Sequence, residues 1–271
     1  LTEVTIPDSI TTIKKDAFEG SSALKSIIIP ENVNSMGEGV FANCSGLESA
    51  EFLCYMVRLP DGTFANCKNL KSVILPDGLT ETGNNAFSNC HSLEEILLPD
   101  TMKNIGYCSF QMCKLLKEIT IPQGTATVGQ SAFGGCESLT SITVPDSVTS
   151  IGTTAFYNCK KLESITLSKN ITELPASLFS ACTSLLSVTI PENVTVIRDS
   201  VFNGCTSLKT VVIPDSVTTM GTNVFYGCSA LESATLPESL EAIPNSTFYG
   251  CSSLAEITIG ENVTSIGKSA F

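Results

Sequence analysis

Leu139–Cys159 reads LTSITVPDSVTSIGTTAFYNC, and the rest of the chain is this stretch again. A leucine opens each copy at 1, 24, 47, 70, 93, 116, 139, 162, 185, 208, 231 and 254, and a phenylalanine follows seventeen residues later every time, from Phe18 to Phe271. The period is 23 residues without insertion or deletion. Below, a position within a copy is its offset from that leucine.

The copies carry a physical pattern. Offsets 0, 3 and 5 (Leu139, Ile142 and Val144) are apolar in every unit, with mostly polar residues between. Near-alternation rich in Ile, Val and Thr predicts a strand with one buried face. Proline closes that strand in nine units, Pro145 among them; it has no N–H for a ladder, so the strand stops or turns there. A second apolar pair at offsets 9 and 12 (Val148, Ile151) is followed by glycine in seven units, where the backbone is expected to bend or take a positive φ. Ala155, Phe156 and Cys159 then have the spacing of one inward-facing helical turn.

One such unit has no means of burying its own apolar face, but stacked on its neighbours it builds a continuous core. Parallel strands spaced ~4.8 Å apart give a rod roughly 55–60 Å long. No linker or composition shift interrupts the repeat, so a single domain over 1–271 is expected: twelve units, the last truncated at Phe271.

The pattern L-x-x-I-x-I-P-D/E-S/N-V-T-x-I-G-x-x-A-F-x-x-C resembles the BspA-like, or Treponema-type, leucine-rich repeat class. The resemblance spans essentially the whole chain. It implies an α/β repeat solenoid, mostly β: a right-handed superhelix with one parallel strand per 23-residue coil, a second short strand and one helical turn. Family members look like surface or secreted proteins of anaerobic bacteria and some parasitic protists, several of them associated with adhesion to host matrix proteins or with co-aggregation. The expectation is therefore a non-catalytic, cell-surface or secreted scaffold for a protein partner such as a host matrix or another cell-surface protein. The alternative is a structural or intracellular scaffold that self-associates through open ends into filaments.

Composition narrows the partner. A net charge of −12 with only isolated Lys pairs argues against nucleic acid. No apolar run is long enough to span a membrane, so no insertion within this chain is expected. An acidic row follows the proline (Asp8, Asp77, Asp146 and others), but without a dense Asp/Gly loop no metal is assigned. The sole histidine, His91, occupies a variable loop offset; no phosphate loop or His/Cys cluster appears, so neither catalytic residues nor a cofactor are expected. Five Asn-x-Ser/Thr sequons (Asn43, Asn170, Asn193, Asn245, Asn262) arise largely from the repeat's own composition.

Ten of the twelve cysteines form one ladder from Cys44 to Cys251. Parallel stacking holds their Cβ atoms about 5 Å apart, too far for a disulfide, so reduced, buried thiols are expected. Cys54 and Cys108 lie off the ladder and are expected to be more exposed.

The binding face is expected on the outward offsets 1, 2 and 4 of the first strand. At offset 1, Lys25, Glu48, Lys71, Glu94 and Lys117 alternate in charge and should pair between coils. At offset 4, threonine is usual from Thr120 to Thr189, but the N-terminal half carries Ile28, Ile74 and Leu97, broken by Glu51. The atypical third unit adds Tyr55 and Arg58. Lys25, Ile28, Glu51, Tyr55, Arg58, Lys71, Ile74, Glu94 and Leu97 are the candidate partner-binding residues.

Overall fold

The structure is a computed structural model that describes residues 1–271. It is a mostly-β parallel solenoid: twelve copies of a two-residue strand at offsets 11 and 12, from Thr12–Ile13 to Ser265–Ile266, mark eleven turns of 23 residues. Where neighbouring copies pair, the register is parallel and one repeat apart, as in Ser150↔Thr127 and Ile151↔Val128. One apolar core of 74 buried residues runs from Ile13 to Ala270. Its centre is the phenylalanine column, in which each ring stacks on the next at 5.1–6.0 Å from Phe18 to Phe271.

The expected helical turn is absent, and the chain contains no helix. Every coil has a left-handed residue at offset 15 (Thr154, φ 56), and the eleven coils that reach offset 19 have a second one there (Asn158, φ 57). Two such residues around the phenylalanine forbid a right-handed helix. The leg instead alternates its hydrogen bonds. Thr154, Phe156 and Asn158 donate their N–H groups forward to Ala176, Leu178 and Ser180 of the next coil, while Tyr157 and Cys159 donate back within their own. Asn or Gly fills offset 19 in nine of those coils, the residues that take positive φ at least cost.

The glycine at offset 13 has a different cause from the one expected. None of the seven has positive φ. A Cβ on Gly152 would lie 2.2 Å from the Gln130 nitrogen, and one on Gly37 2.3 Å from that of Lys15. Glycine is there because adjacent coils touch backbone to backbone.

The first strand does not form the continuous ladder that the repeat predicts. It pairs at four junctions only: Ser26–Ile29 with Ser49–Phe52, Ser49–Phe52 with Ser72–Ile74, Ser141–Thr143 with Ser164–Thr166, and Thr210–Val212 with Ser233–Thr235. The second strand pairs at every junction except three, those entering Arg58–Leu59, Glu173–Leu174 and Ala242–Ile243. Those strands are followed by Pro60, Pro175 and Pro244. In six other coils the residue at that position donates its N–H to a carbonyl of the coil before, as Gly152 does to Val128 and Gly221 to Ile197, both at 2.8 Å. Proline has no such N–H, and the second ladder opens. At those three junctions the first ladder closes. Proline thus goes with pairing on the first leg at these three junctions, whereas the third and fourth coils, with Gly83 at that position, pair on both legs.

Candidate protein-binding face

Seven of the nine candidate residues share the first-strand face. Ile28, Glu51 and Ile74 are direct register partners on three successive strands. Ile28 is 52% exposed, Ile74 59% and Leu97 82%, while Glu51 between the isoleucines is half-buried. The expected charge ladder forms in two pieces. Lys25 and Lys71 both reach Glu48, at 3.2 and 2.8 Å, and Lys117 pairs with Glu94. Lys71 first, then Lys25, holds the Glu48 carboxyl below the usual carboxylate range, and Lys117 does the same to Glu94.

Tyr55 and Arg58 stand elsewhere. Arg58 lies on the second ladder, a different leg of the coil, and two carboxylates engage it: Asp61, and Glu81 at 3.1 Å. It is no free cation beside Ile74. Tyr55 sits past the first strand with its ring against Gly78, where a Cβ would fall 2.2 Å from Tyr55 Cε2. Gly78 has φ 79, so that coil turns differently to admit the ring.

Exposed apolar residues that the sequence reading passed over include Val212, at offset 4 of the tenth coil, and a group in the third coil. Leu53 replaces the strand-ending proline, and its N–H bonds to Ile29 at 2.9 Å. The chain keeps alternating beyond that point: Phe52, Cys54 and Met56 face inward, Leu53, Tyr55 and Val57 outward. The missing proline was the signal. It also explains why Cys54, expected to be exposed, is buried; Cys108 is buried as well. A further exposed pair, Tyr226 and Tyr249, stacks at 5.1 Å on the third leg.

From the fourth to the seventh coil, three successive junctions have an unpaired first ladder. A shallow depression of about 410 Å³ lies there, lined by Val73, Ile96, Leu97 and Ile119 with Glu95 and Glu118. The acidic row after the proline is exposed, and no three His, Cys, Asp or Glu side chains come together as a metal site would need. His91 is partly buried, and burial lowers its pKa, with Lys114 and Lys68 adding to the effect. No helix is long and apolar enough to cross a membrane.

Comparison with known proteins agrees with this architecture. A family model described as a BspA type leucine rich repeat region matches residues 1–117, 105–232 and 175–271. A leucine-rich repeat protein from Bacteroides ovatus is 31% identical, with 91% of this chain and 72% of that one covered and a TM-score of 0.63. The Treponema pallidum leucine rich repeat protein TpLRR is 24% identical over 76% of this chain and 77% of its own, with a TM-score of 0.51. The pneumococcal vaccine antigen PcpA is 20% identical over 96% and 72%, with a TM-score of 0.52. No curated protein matches the sequence. With its whole length covered by the family model and its coils built as described, the chain belongs to the BspA-type leucine-rich repeat family.

Proposed function

We propose that the protein is a non-catalytic binding scaffold, at the cell surface or secreted, that holds a protein partner on its first-strand face and serves adhesion. The observation that carries this reading is the exposed apolar row: Ile28 and Ile74 on three paired parallel strands, and Leu97 on the next coil, beside the depression. Outside the second to fifth coils the same offset carries threonine, a solvent-facing strand choice, in every coil but the one with the lone Val212. Contiguous exposed apolar surface on a stable scaffold marks interaction sites. Leucine-rich repeat folds are generally used for protein–protein contact, and surface placement is what family membership implies.

The test is surface plasmon resonance against purified host matrix proteins, with the wild-type chain and the Ile74→Glu, Leu97→Glu double variant. Both positions face solvent, so the circular dichroism spectrum should be unchanged while binding is lost. Undiminished binding by the double variant moves the site off this face.

A further inference from the structure

The charge on this face is unevenly neutralised. All three lysines of the first-strand leg between residues 24 and 121 are engaged, Lys25 and Lys71 with Glu48 and Lys117 with Glu94. Glu51, Glu95 and Glu118 make no ion pair and no side-chain hydrogen bond; Lys117, committed to Glu94, is the one cation whose charge reaches Glu95 and Glu118. Each sits among exposed or half-exposed apolar side chains. Glu51 stands in register between Ile28 and Ile74, and Glu95 and Glu118 flank Leu97 in the depression.

An apolar surface studded with unpaired carboxylates is complementary to one kind of protein surface. A Lys or Arg laid across the row would rest its methylene stem on Ile28 or Ile74 and bring its charged head to Glu51. An apolar residue beside it would enter the depression against Leu97 and Ile119. An acidic partner would meet like charge, and a neutral one would leave three carboxylates partly desolvated without a counter-charge. Resting on the reading of this face as the binding surface, we infer that the partner presents a cationic, apolar polypeptide segment, with Lys or Arg interleaved with aliphatic side chains.

Fluorescence anisotropy with three labelled peptides of equal length tests this: Lys alternating with Ile, and the same peptide with Ser or with Glu in place of Lys. Two triple variants separate the site from net charge: Glu51→Gln with Glu95→Gln and Glu118→Gln, and Glu163→Gln with Glu232→Gln and Glu256→Gln on the same leg further along the chain. The Lys peptide should bind best, weaken about tenfold against the first triple and hold its affinity against the second. Equal losses in both triples reduce the effect to bulk charge and overturn the inference, as does failure of the Lys peptide to bind. If all three peptides bind alike and all lose binding to Ile74→Ser with Leu97→Ser, the face stands and the cationic preference falls. Lys-peptide binding that survives the serine variant removes both.

Discussion

The thiol of Cys67 donates to the carbonyl oxygen of Phe41, one coil earlier, across 3.0 Å. That oxygen also accepts the N–H of Cys44 at 3.2 Å. The same thiol-to-phenylalanine contact recurs for all ten ladder cysteines at 3.0–3.3 Å, from Cys44 to Cys251. A thiol is small and apolar enough for the core and still supplies a weak donor to a buried carbonyl. Alanine lacks the donor. Serine supplies a stronger one but has less volume and loses its bonds to water.

Two outcomes follow for the thiols. Alkylation of the folded protein should leave the ladder unlabelled, whereas denaturation without reductant should expose all twelve thiols; ladder peptides recovered as disulfides would contradict this. Burial raises the thiol pKa at Cys90, Cys113, Cys136, Cys159 and Cys205 above the ordinary 9.0, and pushes Cys251 up to about 11. Above pH 9 the unfolded chain therefore holds fewer protons than the folded one. Stability is full below that pH and falls as pH rises, by about 1.4 kcal/mol per pH unit for each thiol that ionises only on unfolding. Denaturation midpoints measured from pH 8 to 11 should drop steeply, and a flat profile would show the ladder to be solvent-accessible.

Pro175→Gly should move the contact at its junction from one leg to the other. The substitution restores an N–H facing Ile151, so the second ladder can close as it does at Gly152. The first-leg bond from Val144 to Thr166, 2.8 Å, should then open. One or two bonds gained at about 0.5–1.5 kcal/mol each are offset by bonds lost and by the entropy of glycine, so overall stability should change little. Hydrogen exchange is the measurement: faster at residue 144, slow at residue 175. Unchanged exchange at both would mean that proline does not select the leg.

Gly152→Ala should destabilise by about 1–3 kcal/mol, the cost of forcing volume into a packed contact. Its Cβ would meet backbone atoms of Gln130 and Gly129, at 2.2–2.7 Å, and backbone is unable to rotate away as a side chain tip would. Gly20, with φ 70 and open space around its Cβ position, offers the contrast. Alanine there pays only the smaller left-handed strain, near 1 kcal/mol. Thermal melts of the two variants should rank Gly152→Ala as the more damaging; the reverse order would refute the close-approach account.

Period, phase and inward positions were legible in the sequence, because side-chain polarity alone separates Leu139, Ile142, Val144, Phe156 and Cys159 from their neighbours. Offset alternation likewise placed Ile28, Glu51 and Ile74 on one face and paired Lys25 and Lys71 with Glu48. The helical turn was a wrong expectation. The spacing of Ala155, Phe156 and Cys159 suits a helix, but two left-handed residues per coil override it, and Asn or Gly at offset 19 was the available sign. Leu53 in place of proline was equally visible, yet its effect on Tyr55 and Val57 depends on how far the third coil stays extended.

Other features needed the stacked coils. Whether Gly152 serves φ or close approach depends on Gln130, which lies 22 residues away and touches it only when coils are superposed. Where the second ladder opens depends on a proline's missing N–H, read against the carbonyl one coil earlier. Arg58 looked like part of the face until Asp61 and Glu81 held it on another leg. A repeating sequence determines its own fold locally, since every coil meets a copy of itself. Differences between copies act across the stack, and only the tertiary structure decides which neighbour each one meets.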